Sequence, residues 1–412
     1  SESLEEEPEN FNLWFQKGLL CLDSGEFEKA LEAFEKTIEL KPESESSWLN
    51  KGFALYSLKR YEEALEAFEE GLLQNPYLEK GWNKKGIVLG KLGEEEKALE
   101  AFEEALKLRP DYEDAWKNKA LILLLGEEYK KAEAAFAEVL KSNPEDTSSL
   151  YNRGKALLKL ERKEAALECF EKVLALDPDY PELQYNLALA QMELGKHEKA
   201  LETFEKLSAK NSLDPEIQFK KGMISMELGK FEEALEAFEQ VLSRDPESID
   251  AWYRKGLVLL ELERFEEAIK AFDRVIIRDS DYEDIWTCKG FAQMKLGKYT
   301  PALETFESVL REKTDSEKTW HYKGLTLRRL HRPREAASAF EAALLLNPEN
   351  PEAREHRAFC LFEIKQYDEA LETFETYLEK NPENLSVLYH RALCLLRLGK
   401  HEKASAAFAE LL

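Results

Sequence analysis

Apolar residues recur along this chain at intervals of three and four, in stretches of about a dozen residues punctuated by Gly, Pro, Asn and Asp. In RYEEALEAFEE (60–70), Ala64, Leu65, Ala67 and Phe68 share one helical face while the glutamates take the other. Nearly the same words return as EKALEAFEEAL (96–106) and KFEEALEAFEQ (230–240). The pattern predicts one amphipathic helix used many times. Such a helix cannot bury its apolar stripe alone, so stacked copies are expected.

The tryptophans set the period. Trp14, Trp48, Trp82 and Trp116 are each 34 residues apart, as are Trp252, Trp286 and Trp320. Framed from Phe11, the chain reads as twelve units without an insertion, starting at 11, 45, 79, 113, 147, 181, 215, 249, 283, 317, 351 and 385, with the last cut short at Leu412. Residues 1–10 (SESLEEEPEN) form an acidic lead-in. Position 8 of the frame is Gly or Ala throughout, position 20 is always Ala, from Ala30 to Ala404, and position 24 is always Phe, from Phe34 to Phe408. Pro occupies position 32 in eight units, from Pro42 to Pro382. Small residues at 8 and 20 predict close approach of two helices, the position-24 aromatic is expected to fill the space between units, and Pro ends the second helix.

The order Trp at 4, Gly at 8, Ala at 20, Phe at 24 and Pro at 32 resembles the tetratricopeptide repeat, and the resemblance covers residues 11–412. The phrasing KGxxL…YEEALEAFE is similar to long arrays from methanogenic archaea. The resemblance implies an all-α solenoid: antiparallel helix pairs stacked into a right-handed superhelix whose first helices line the inner groove. It also implies a non-catalytic scaffold or adaptor that holds peptide segments or partner helices there.

On a helical wheel, positions 2, 5, 6, 9, 12 and 13 of the first helix share an arc, which the family geometry places on the groove. Position 9 is apolar in eleven of twelve units, and all four methionines fall at position 9 or 12. Met192, Phe219, Met223, Met226, Tyr253, Phe291 and Met294 therefore predict an apolar site in units 6–9, flanked by Glu182, Glu193, Glu216, Glu227, Asp250 and Glu261. An amphipathic segment with basic residues would fit it. The competing reading is that these side chains bury one another. In units 2–6, position 6 is Asn50, Lys84, Asn118, Asn152 and Asn186. An amide can donate to and accept from a peptide backbone, so these residues resemble the asparagine ladder of peptide-binding members. Lys80, Lys91, Lys117, Lys155 and Lys159 nearby suggest an acidic ligand. The family's clamp for a chaperone's terminal carboxylate is incomplete here, because Phe15 and Leu19 stand where it requires Lys and Asn.

Composition narrows the function. The net charge of −25 argues against nucleic acid or an anionic membrane as partner, and the longest apolar runs are too short to span a bilayer. Five scattered cysteines (Cys21, Cys169, Cys288, Cys360, Cys394) show no metal or disulfide spacing, which fits a reducing, cytoplasmic setting. There is no phosphate loop, zinc motif or nucleophile motif, so neither a cofactor nor an enzyme activity is expected. His321, His356 and His390 read as groove contacts, with metal binding the lesser alternative. Two other functions stay open: the recruiting region of a larger enzyme or regulator, and a rod that self-associates end to end. The second rests on the close of the chain inside a helix at AFAELL, without the polar capping helix such arrays carry. Units 5–7 replace Trp with Leu150, Gln184 and Gln218, and Ser212, Ser280 and Thr314 replace Pro, so looser packing is expected there.

Overall fold

Each 34-residue period forms two helices joined by a tight turn, as in Phe11–Asp23 followed by Phe27–Leu40, and Glu45–Ser57 followed by Tyr61–Gln74. The series is seen in a computed structural model that describes residues 7, 9–210, 214–282, 284–409 and 411, without the side chains of 209 and 210. Among the described residues there are 24 helices and no strand. The acidic lead-in (apart from Glu7, Glu9 and Asn10), Ser212 and the last residues of AFAELL (410 and 412) lie outside that description. The chain divides into two compact units, Ser1–Thr203 and Phe204–Leu412. Each is a run of such pairs, and consecutive helices pack on one another from Phe11–Asp23 to Leu183–Glu193 and from Pro215–Glu227 to His401–Ala409.

The core is one contact repeated. A Cβ built on Gly52 would lie 2.8 Å from the Phe68 ring, and one on Gly256 would lie 2.3 Å from Phe272 Cε1. The same holds for Gly18 with Phe34, Gly86 with Phe102 and Gly324 with Phe340. The position-24 ring thus packs against the bare helix backbone at position 8 of its own unit. It also reaches position 6 of the next unit, as Phe306 does Tyr322 and Phe340 does His356, so it fills space both within a repeat and between repeats. The eleven rings from Phe34 to Phe374 are fully buried, each contributing about 1.5–3 kcal/mol.

Two further contacts join most repeats to the one before. The indole Nε1 of Trp48 donates to the Pro42 carbonyl at 2.8 Å, and Trp82, Trp116 and Trp252 do the same to Pro76, Pro110 and Pro246. Proline is not needed for this, because Trp286 and Trp320 donate to Ser280 and Thr314 at 2.8 and 2.9 Å. Nor is tryptophan: Gln184 Nε2 reaches the Pro178 carbonyl at 3.5 Å, and the Arg354 guanidinium reaches that of Pro348. Beside this bond the basic residue at position 7 crosses to the acid at position 25 of the preceding repeat. Lys51–Glu35, Lys85–Glu69, Lys119–Glu103 and Lys255–Glu239 lie at 2.8–3.1 Å. Each of these ammonium groups also sits over the tryptophan ring three residues earlier, at 5.3–5.6 Å. Some glutamates of the second helices are therefore fastening residues as well as a solvated face.

Position 34 caps the next first helix where it is Ser, Asp or Asn: Asp146 accepts from the Ser149 amide at 2.8 Å and Asn350 from that of Ala353 at 2.9 Å. Where it is Tyr, as at 112, 180 and 282, that cap is absent. The ring instead packs under position 5, with Tyr180 at 5.0 Å from Tyr151 and Tyr282 at 5.1 Å from Tyr253. After Tyr180 and Tyr282 the helices begin late, at Leu183 and Ile285, and run 11 residues instead of 13.

Candidate functional site

In the unit Ser1–Thr203, the first helices of repeats 2–6 place Asn50, Lys84, Asn118, Asn152 and Asn186 in equivalent, half-buried positions, while Lys80 is exposed. The four amides use their donors inside the chain. Asn50 Nδ2 donates to the Ser46 carbonyl at 2.8 Å and Asn152 Nδ2 to that of Ser148 at 2.9 Å. Asn118 Nδ2 donates to Asn83 Oδ1 at 3.0 Å, and Asn83 in turn to the Tyr112 hydroxyl at 3.3 Å. Asn186 Nδ2 donates to the Tyr151 hydroxyl at 2.7 Å, and that hydroxyl donates to Glu182 at 3.1 Å. Burial and then the Glu182 carboxylate push the Tyr151 phenol well above its ordinary pKa, so it remains a donor. No donor among the described residues reaches Oδ1 of any of the four asparagines.

The cations here fall into two groups. Lys117 is already paired with Asp146 at 2.8 Å. Burial would raise the Asp146 pKa, but hydrogen bonds from Lys117 and Ser149 outweigh it and hold the carboxyl below its usual range. Lys117 is therefore a structural partner and not a spare charge for a ligand. Among the described residues Lys84 and Lys155 have no carboxylate partner; they lie over rings, at 5.2 Å from Phe53 and 5.5 Å from Tyr151.

The predicted apolar site separates in the same way. Met192 is half-buried in the first unit. In Phe204–Leu412, Phe219, Met223, Met226 and Phe291 keep part of their surface exposed, but Tyr253 and Met294 are only 5% and 8% exposed and belong to the core. The wheel misplaced these two for different reasons. Tyr253 is covered by Tyr282 from the following loop, and Met294 packs into the cluster holding Ala302 and Phe306. Phe219 sets its edge on Phe238 at 5.6 Å, and Phe291 meets Tyr322 at 4.8 Å.

Of the three histidines, His321 and His356 come together, with ring centroids 6.3 Å apart, and Arg328 Nη1 lies 2.7 Å from His356 Nδ1. Burial first, then Arg328 and His321, push the His356 pKa down to about 4; burial also lowers that of His321. His390 stands apart against Phe359 and donates from Nδ1 to the Ser386 carbonyl at 2.7 Å. Cys360 and Cys394 are fully buried, and burial raises both thiols to about 12, far from a reactive thiolate. Among the described residues no cluster of three or more His, Cys, Asp or Glu is disposed to hold a metal ion, and no helix is long and apolar enough to cross a membrane.

The comparisons agree with this architecture. The sequence profile described as Tetratricopeptide repeat matches residues 4–77, 83–147, 151–215, 219–283, 323–384 and 361–412. No curated protein matches the chain in sequence. Similar solved structures include a tetratricopeptide repeat protein from Parabacteroides merdae, with 16% identity, 60% of this chain and 98% of that one covered, and a TM-score of 0.48. MamA from Desulfovibrio magneticus RS-1 is 27% identical over 41% of this chain and 97% of its own, at a TM-score of 0.39. Yeast Tom70 is 15% identical over 97% of this chain and 96% of its own, at 0.38. With profile matches along most of its length, and with Gly or Ala at 8 and Phe at 24 in every repeat, the chain belongs to the tetratricopeptide repeat family.

Proposed function

We propose that this chain is a non-catalytic scaffold that holds an extended, acidic peptide segment along the first helices of repeats 2–6. The observation that carries this reading is the set Asn50, Asn118, Asn152 and Asn186. Each is half-buried, each has its donor satisfied internally, and each has an amide oxygen that accepts nothing from the described residues. Peptide N–H groups are the donors such a row fits, and the internal bonds hold the amides in one orientation before any ligand arrives. Lys84 and Lys155, without carboxylate partners in a chain of net charge −25, favour acidic side chains on the segment.

A second reading rests on Phe219, Met223, Met226 and Phe291, whose remaining exposure suits an amphipathic helix. The test is to pan a phage-displayed decapeptide library on the whole chain and measure the enriched peptides against Asn118→Ala/Asn152→Ala and Met223→Asp/Met226→Asp. Each lost hydrogen bond is worth about 1 kcal/mol, so the asparagine variant should bind at least about tenfold more weakly. Unchanged affinity removes the asparagine row, and a loss confined to the methionine variant transfers the function to the second reading.

A further inference from the structure

Charge is distributed unevenly along the array. Residues 317–412 carry 15 acidic and 14 basic residues, whereas the preceding 316 carry 68 and 44. Part of the difference lies at the turns between the two helices of a repeat. Position 18, in the first turn of the second helix, is acidic in nine of twelve repeats, where a carboxylate suits the positive end of the helix dipole. Repeat 10 has Arg334 there, against the dipole. Repeat 4 has Lys130 there as well, so the distinction of repeat 10 lies in what surrounds Arg334.

The turns of repeats 10 and 11 meet around an open cavity of about 430 Å³ lined by Arg332, Pro333, Arg334, Glu335, Glu363, Ile364 and Lys365. Arg332 is held by Glu335 through two hydrogen bonds of 2.7 and 2.6 Å. Arg334 and Lys365 are exposed and pair with no carboxylate among the described residues, and Lys365 extends from a left-handed residue at φ 65°. Exposed Arg329, at the end of the preceding helix, and His331, in the turn, stand just before Arg334. In repeat 3 the corresponding turn, lining a cavity of about 340 Å³, is Gly93, Glu94, Glu95, Glu96 and Lys97. The same architecture thus appears once with an acidic lining and once with a basic one.

We propose that the basic corner of repeats 10 and 11 docks an acidic segment of a partner protein, independently of the asparagine row. Arg334 offers a planar fork for a carboxylate, Lys365 a second cation, and Pro333 with Ile364 an apolar floor for the aliphatic stems of glutamates. A few carboxylates match these cations. A nucleic acid would bring a long run of phosphates toward a chain of net charge −25 and into contact with Glu363, which lines the same cavity.

Fluorescence anisotropy with labelled hexaglutamate and labelled oligothymidylate, each titrated with the whole chain at low salt, tests the assignment. Hexaglutamate should bind, and Arg334→Glu/Lys365→Glu should weaken it at least tenfold. Both positions are exposed, and the first change restores the acid usual at that turn. Lys59→Glu/Lys130→Glu makes the same charge change at positions 15 and 18 of repeats 2 and 4 and should alter binding less than threefold. Asn118→Ala/Asn152→Ala should leave it intact, which separates this corner from the peptide row. Absence of hexaglutamate binding, equal losses in the two charge variants, or tighter oligothymidylate binding through Arg334 and Lys365 would each overturn the proposal.

Discussion

Lowering the pH should loosen repeats 10 and 11 before the rest of the array. His356 accepts a hydrogen bond from Arg328 at 2.7 Å, which only the neutral imidazole can do, and it faces His321 at 6.3 Å. Glu317 from its own helix and Glu352 from the next first helix act on His321 and soften the effect there, but His356 has only cationic neighbours among its charged influences. Its pKa falls from 6.5 to about 4 on folding. The unfolded chain therefore binds the proton more readily throughout that interval. The contribution to stability is complete above pH 6.5, declines as pH falls, and is fully lost near pH 4. At pH 5 the linkage relation gives a loss of about 2 kcal/mol, or roughly thirtyfold in the local opening constant. The two-state assumption is unsafe for a repeat array, so the measurement should be local. Amide hydrogen exchange at pH 7 and pH 5, corrected for intrinsic rates, should show protection in residues 317–363 falling by that factor relative to residues 45–125. His356→Gln should remove most of the difference. Equal changes in the two regions, or an undiminished response in the variant, would refute the argument.

Gly256→Ala places a methyl 2.3 Å from the Phe272 ring. Overpacking of about 1–3 kcal/mol opposes a helix-propensity gain of about 1 kcal/mol, so a net loss near 1 kcal/mol is expected in chemical denaturation; an increase in stability would show that the ring has room. Trp252→Phe keeps the aromatic but deletes the 2.8 Å bond to the Pro246 carbonyl. It should cost about 1 kcal/mol, with exchange of amides around residues 246–252 accelerating; unchanged exchange would mean that the bond holds nothing.

The period, the small residues at 8 and the Phe at 24 were legible because each is a column of near-identical residues; that positions 8 and 24 meet was not. The acceptor for the tryptophans was not, since a carbonyl belongs to every residue and leaves no trace in composition. The ion pairs were recoverable in principle: Lys51 and Glu35, Lys85 and Glu69, and Lys119 and Glu103 share a spacing of 16. Their glutamates, however, sit among many others that face solvent. Tyr253 and Met294 were misread because a wheel describes one helix in isolation, whereas the cover over Tyr253 arrives from Tyr282, 29 residues away. Ser280 and Thr314 suggested looseness, yet the bonds from Trp286 and Trp320 are as short there as at proline. The helices that begin late follow Tyr180, in unit 6, and Tyr282, two residues after Ser280.

The bond from position 4 to the carbonyl of position 32 has a consequence for how such a chain can grow. In a complete repeat with Trp at position 4, donor and acceptor both lie within the 34-residue copy, one near its beginning and one near its end. A tandem duplication of one whole period therefore brings along both halves of the new joint and needs no compensating mutation elsewhere. An insertion of a single residue between Trp48 and Pro76 would set Trp82 and its acceptor intact but turn the helix faces between them by about 100°, breaking the contact of Gly52 with Phe68 or its neighbours. Length can thus change in steps of 34 at little cost and in steps of one only at great cost, which agrees with twelve periods that contain no insertion.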